Sequence, residues 1–140
     1  MKKTKQILIL SLFLISSFNA FSQQIVVGEK DTLAMIYSSG IVTDALGMTI
    51  GEITSSGVIK NAQGETLGNI VGDKFIDVSG IVRGEKVVAG SETQIKIGGD
   101  VITSIVQSGN KIIDHQTNEV LMNSVGTVSE TQLIAYFLFF

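Results

Sequence analysis

The chain contains no cysteine, no proline and no tryptophan, and only one histidine. Without cysteine there is no disulfide framework, so stability must come from packing and backbone hydrogen bonding. The same absence excludes a lipid-modified N-terminal cysteine. Without proline no segment is barred from the middle of a sheet, because proline would delete a ladder hydrogen bond. A single histidine with no thiol beside it cannot assemble the usual zinc ligand sets. Long apolar runs are also missing. The longest opens the chain, Ile7 to Ile15 broken only by Ser11, and falls short of the roughly 18 residues a spanning helix needs.

That first run reads as an address. Lys2, Lys3 and Lys5 precede it, and Ala20 and Ser22 supply the small residues that a signal peptidase prefers at −3 and −1. Cleavage after Ser22 is expected, making residues 1–22 a signal peptide and residues 23–140 a single domain. The protein is then exported to the periplasm, the outer-membrane periphery or the exterior. The remaining chain carries seven Lys and Arg against thirteen Asp and Glu, a net charge of −6. Such a surface repels phosphate backbones, so nucleic acid is not an expected partner.

Glycine is abundant, fifteen in all, and it is arranged. Ser38 to Thr54 reads SSGIVTDALGMTIGEIT, and Ser55 to Val71 follows at once with SSGVIKNAQGETLGNIV. Asp44-Ala45-Leu46-Gly47 and Asn61-Ala62-Gln63-Gly64 are turns with a mechanism. The Asx side chain accepts from the backbone ahead, and the fourth-position glycine takes the left-handed conformation that closes a hairpin. Asp77-Val78-Ser79-Gly80 repeats the pattern. Lys96-Ile97-Gly98-Gly99 keeps the glycine at Gly99 without the Asx residue. His115-Gln116-Thr117-Asn118 puts asparagine in the glycine position, Asn118 being the residue type that best tolerates that geometry after glycine. His115 is expected to occupy the slot that Asp44 and Asn61 fill.

A second glycine follows the first by four residues, at Gly51, Gly68 and Gly84, with Thr103 and Met122 in the later copies. Glycine within a strand marks a bulge or the close approach of another backbone, so the hairpins are expected to meet there. Around the turns lie β-branched pairs such as Val58-Ile59 and Phe75-Ile76, of strand type and length. The expected fold is all-β, with five short hairpins of period about 16–19 residues arranged radially around a pseudo-five-fold axis. A lone hairpin of this size is not stable in water, so each copy needs its neighbours.

The unit G-[IV]-[IV]-x-[DN]-x-x-G-x-x-[IL]-G, the signal ending near FSQ and the aromatic C-terminus resemble the small exported bacterial five-fold β-flower proteins. The resemblance covers nearly all of residues 23–140 and implies a five-petalled β-fold. It implies no activity and no catalytic residues.

Catalytic constellations are not evident. Glu52, Glu65 and Glu85 could in principle pair as a hydrolase's carboxylates, but they sit beside glycines on what look like solvated strand faces. Asp44, Asn61 and Asp77 could converge on one rim as a calcium site, yet capping of their own turns explains them. No G-x-S-x-G elbow is present, and Gly98-Gly99 lacks the helix and lysine of a phosphate loop. No cofactor and no metal is expected, and the chain reads as non-enzymatic.

The last eight residues, LIAYFLFF, hold Tyr136, Phe137, Phe139 and Phe140. Three readings stand: a final strand plugging the fold, an exposed strand for a partner or membrane, and a barrel-type terminus. The first is favoured. The reading as a whole is an exported envelope protein serving as a binding or structural module, with an envelope protein or glycan as partner. The alternatives are an outer-membrane-associated protein using the aromatic strand and a hydrolase with a hidden carboxylate pair.

Overall fold

A computed structural model describes residues 23–27, 31–106, 111–126 and 128–140. The expected signal peptide and residues 107–110 lie outside the described residues. The described residues form twelve strands: β1 Gln23–Val27, β2 Thr32–Tyr37, β3 Ile41–Asp44, β4 Thr49–Ile53, β5 Val58–Asn61 and β6 Thr66–Val71. There follow β7 Lys74–Asp77, β8 Val82–Ala89, β9 Glu92–Ile97, β10 Asp100–Val106, β11 Lys111–Asp114 and β12 Val120–Val125. One helix, α1 Glu130–Phe139, ends the chain. Every strand pairs antiparallel with its neighbours in sequence, and β1 pairs with both β2 and β12 to close a barrel. Closure removes the two edges that an open stack of short hairpins would leave.

The five turns legible in the sequence join β3–β4, β5–β6, β7–β8, β9–β10 and β11–β12. The pairing of β1 with β2 adds a sixth hairpin, so six units, not five, make the ring. The missed copy is visible in retrospect: TLAMI (32–36) matches TIGEI (49–53) and TLGNI (66–70). An alignment anchored on glycine overlooks it because Ala34 stands in the glycine position.

Each unit carries one bulge at the same point. Val42 pairs with Gly51 and Thr43 with Thr49, leaving Ile50 as the extra residue. Leu67, Arg83, Ile102 and Leu121 are the extra residues in the next four hairpins, and Leu33 in the first. A bulge sharpens the local right-handed twist, and one per hairpin bends the ribbon steadily into a closed ring. Immediately after each bulge comes an inward position: Ala34, Gly51, Gly68, Gly84, Thr103 and Met122, all buried. Opposite five of them on the partner strand stand Val42, Ile59, Phe75, Ile95 and Ile112, at most 1% exposed. At the level just after the bulge, each of these hairpins therefore delivers one large and, in the earlier copies, one small residue to the interior.

The C-terminal segment is a helix, which corrects the expectation of a final strand. Ser129 is its N-cap: the hydroxyl accepts from Gln132 N at 3.1 Å, and Gln132 Oε1 accepts from Ser129 N at 3.3 Å. This S-x-x-Q capping box was the sequence signal for a helix start. Leu133, Ile134, Ala135 and Tyr136 are buried in one cluster with the inward strand residues. The physical reason for a helix lies in the lumen. About eight strands make a barrel that side chains alone can fill; twelve leave space for another element. A single strand there would leave its backbone groups unpaired, whereas a helix satisfies its own. An apolar surface on all sides then suits burial. The plug reading of the aromatic tail holds in helical form, and the segment is not an exposed interaction strand.

The glycines Gly51, Gly68 and Gly84 make room for this helix. A Cβ on Gly51 would collide with the ring of Phe140, one on Gly68 would stand 2.6 Å from Phe139 Cε1, and one on Gly84 would stand 2.7 Å from Leu138 Cδ1. The last three residues of the chain, two at the end of α1 and its C-cap, thus serve three consecutive hairpins. Gly51 and Gly68 also lie against backbone carbonyls of Lys60 and Ile76 on the next strand, so the expected close approach of backbone is present as well.

Candidate functional site

The two ends of the barrel differ in chemistry. One end carries the hairpin turns. Asp44 Oδ1 accepts from Leu46 N and Met48 N at 2.9 and 2.8 Å, Asn61 Oδ1 from Gln63 N and Glu65 N at 3.0 and 2.9 Å, and Asp77 Oδ1 from Ser79 N and Ile81 N at 2.9 and 3.0 Å. Gly47, Gly64 and Gly80 share φ of +82°, the left-handed residue that closes a three-residue loop. Each Asx residue is committed to its own turn, as expected.

Two turns differ from the expectation. Gly98 and Gly99 both have positive φ, +64° and +95°, between paired Ile97 and Asp100. That is a two-residue hairpin of the mirror-image type, which needs no Asx cap. In the last turn Asp114, not His115, fills the Asx slot, accepting from Gln116 N and Thr117 N at 2.9 and 2.8 Å. The loop is one residue longer and closes with Asn118 at φ +60°. His115 is exposed, with its backbone N–H on Ile102 O.

Lys60 pairs with Glu52 at 3.4 Å, and Glu65 accepts from Asn61 Nδ2 at 2.7 Å. Glu85 stands between Lys74 and Lys96 in the strand register. Arg83 Nε donates to Asp77 Oδ2 at 2.9 Å, and the turn amide of Ile81, with help from Ser79 and Arg83, holds that carboxyl below its ordinary range. Among the described residues no group of three or more His, Cys, Asp or Glu could hold a metal ion.

The other end carries the turns at 37–40 and 54–57, which link one hairpin to the next, and the N-terminus of α1. Tyr37-Ser38-Ser39-Gly40 and Thr54-Ser55-Ser56-Gly57 are successive copies of one tight turn. Each is locked to the following hairpin, Ile53 N donating to Gly40 O and Ile70 N to Gly57 O, both at 2.8 Å. Gly40, at φ +92°, lies against the Ile53 carbonyl, so no side chain fits there. On one side of the mouth Lys86 Nζ reaches both Asp73 and Glu130 at 3.8 Å, tying β8 to the first turn of the helix. Elsewhere the helix start leaves a cavity of about 470 Å³.

That cavity is walled by the two SSG turns, by Ser129, Thr131 and Gln132 of the helix start, and by Ile53 and Ile70. None of its lining residues is ionisable. Thr54 Oγ1 is engaged with Ser56 Oγ at 3.0 Å and with Val58 N at 2.9 Å. The hydroxyls of Ser38, Ser39, Ser55 and Thr131 make no hydrogen bond to another described residue. The sequence pointed to this site only weakly, through the duplicated SSG. What it could not show is that the C-terminal residues would come to stand beside those turns.

Comparison with known protein families, with curated proteins and with solved structures finds no match for this chain.

Proposed function

We propose that the protein is an exported, non-enzymatic binding module of the cell envelope. In this reading the barrel and its internal helix form a rigid frame, and the ligand enters the cavity between the SSG turns and the start of α1. The observation that carries it is that cavity: pre-formed, about 470 Å³, and edged by the hydroxyls of Ser38, Ser39, Ser55 and Thr131, which make no hydrogen bond to another described residue. Pockets of this size and mixed polar and apolar lining are the usual seat of small ligands. A wall of hydroxyl, amide, aliphatic and backbone groups offers no side chain that exchanges a proton near neutral pH. That favours recognition over acid–base chemistry. Export rests on Lys2, Lys3 and Lys5 ahead of Ile7 to Ile15 and on the Ala20/Ser22 site. The resemblance to the exported β-flower proteins agrees with it.

Two measurements test the reading. Fractionation of the native host with a mass spectrum of the mature chain should find protein beginning at Gln23 outside the cytoplasm. A full-length cytoplasmic protein would overturn export. Amide chemical shifts of residues 23–140 titrated with neutral, anionic, cationic and apolar small molecules should show at least one class moving Gly40, Gly57 and Thr131 saturably. If no class does so, the binding reading is lost.

A further inference from the structure

We infer that the ligand of the mouth cavity is a neutral polyhydroxylated molecule, a sugar unit at the accessible end of a glycan. This deepens the binding-module reading and rests on it. The first ground is charge. The lining contains no ionisable side chain, and Asp73 and Glu130, next in sequence to lining residues, both pair with Lys86 at 3.8 Å. An anionic ligand would meet the acidic first turn of α1 at Glu130 and a chain that is net negative. A cationic one would find no unpaired carboxylate in the wall, and burying either charge there is costly.

The second ground is hydrogen-bonding type. Each serine or threonine hydroxyl offers one donor and two acceptor sites, the same set that every hydroxyl of a sugar presents. Ser38 and Ser39 repeat as Ser55 and Ser56 one hairpin further round the ring. The mouth therefore presents the hydroxyls of Ser38, Ser39 and Ser55, Ser56 Oγ being engaged by Thr54, and Thr131 lines the cavity from the helix start. Because Ser38, Ser39, Ser55 and Thr131 make no hydrogen bond within the described protein, a ligand can engage them without breaking one.

The third ground is the floor. Ile53 is buried to 3% exposure, and Ile70 packs against the core cluster. Ile53 therefore contributes little surface, and half-buried Ile70 supplies the aliphatic patch inside a polar rim, complementary to the carbon–hydrogen face of a pyranose beneath its equatorial hydroxyls. Both residues are bonded through their N–H groups to the glycines of the SSG turns. Floor and rim are thus fixed relative to each other before a ligand arrives, which lowers the ordering cost of binding.

The experiment uses the mature chain, residues 23–140, with nitrogen-15 labelling. It is titrated with methyl β-D-glucoside, methyl N-acetyl-β-D-glucosaminide and trehalose, and in parallel with phosphate, acetate and 1-hexanol. At least one neutral sugar should shift the amides of Gly40, Gly57 and Thr131 saturably. Ser38→Tyr and Ser55→Tyr, both on exposed turns, should weaken that binding about tenfold or more by filling the cavity and removing hydrogen bonds. Unchanged amides at Gly68 and Phe139 in the variants show that the plugged barrel is intact. If phosphate, acetate or hexanol moves these amides and the sugars do not, the ligand class is wrong while the binding module stands. If sugar binding survives both tyrosine variants, the site is elsewhere and the inference falls. If no probe moves the mouth amides, both the class and the module are overturned.

Discussion

The ring of Phe139 fills the space that a side chain at Gly68 would need, a Cβ there standing 2.6 Å from Phe139 Cε1. One hairpin earlier Phe140 does the same at Gly51, and one hairpin later Leu138 does so at Gly84. The spacing of Gly51, Gly68 and Gly84 is thus a record of where the last three residues lie.

The three glycines should not be equally intolerant. An alanine at Gly84 meets mainly the flexible end of Leu138, whereas one at Gly68 also meets the Ile76 carbonyl. Overpacking of this kind costs roughly 1–3 kcal/mol. Gly84→Ala should be partly rescued by Leu138→Ala in a double-mutant cycle, because the pair shares one space. Gly68→Ala should gain much less from Phe139→Ala. Urea midpoints for the singles and doubles decide it, and equal rescue at both sites would contradict the geometry.

Gly47 and Gly40 both have positive φ, yet a Cβ on Gly47 has nothing within 4 Å while one on Gly40 runs into the Ile53 carbonyl. Gly47→Ala should cost only the left-handed strain of an L-residue, roughly 1–2 kcal/mol. Gly40→Ala should add a further ~1–3 kcal/mol of overpacking. At about 4 °C per kcal/mol for a domain of this size, thermal melting resolves the two. Equal Tm losses would mean that the SSG turn is looser than described.

Thr43 Oγ1 and Thr103 Oγ1 are buried without a hydrogen-bond partner among the described residues. Leaving such a group unsatisfied costs on the order of 1–3 kcal/mol. Thr103→Val, nearly the same shape, should therefore raise the unfolding midpoint. A drop would reveal a hydrogen bond to water at that hydroxyl.

Stability should fade at both extremes of pH. Backbone amides, chiefly those of Ile81 and Thr117, hold the Asp77 and Asp114 carboxyls below their ordinary value of 3.8. A depressed folded-state value means stability that is complete above about 3.8 and lost as pH falls through the lowered values. Asp77→Asn keeps an oxygen for the turn, as Asn61 does, and should flatten the acid limb of the stability curve. Burial raises the Tyr136 hydroxyl above 10.0, so its contribution is complete below that value and lost as pH rises through the raised one. Tyr136→Phe should remove this alkaline loss. Urea midpoints against pH that match wild type in both variants would refute the assignments.

Deleting Tyr136 to Phe140 should unfold or aggregate the domain, because the lumen of twelve strands would lose its filling. Circular dichroism and sedimentation read the result. A folded, soluble truncation would show that the helix is an accessory rather than part of the core.

Much of the barrel was legible from local pattern. Asp44, Asn61 and Asp77 with their glycines specify turns through bonds no more than four residues long, so a linear reading finds them. The copy at Ala34 was missed because one methyl group replaced the marker. Asp114 was passed over for His115 because that loop is one residue longer than the other Asx-capped loops. Of the mouth cavity, only the repeated SSG was visible.

What the sequence by itself determined was the hairpin ladder: turn chemistry, strand length and period all act between near neighbours, and each agrees with the next. The S-x-x-Q box at Ser129–Gln132 marks a helix start, but tertiary structure decided that the apolar tail continues as a helix inside the ring. It also decided that Leu138, Phe139 and Phe140 fall on Gly84, Gly68 and Gly51, and that Thr131 comes to face the serine turns. Those outcomes depend on the width of the lumen left by twelve strands, a property of the closed ring and not of any segment in it. An apolar run takes the conformation that pairs its own backbone in the space it is given.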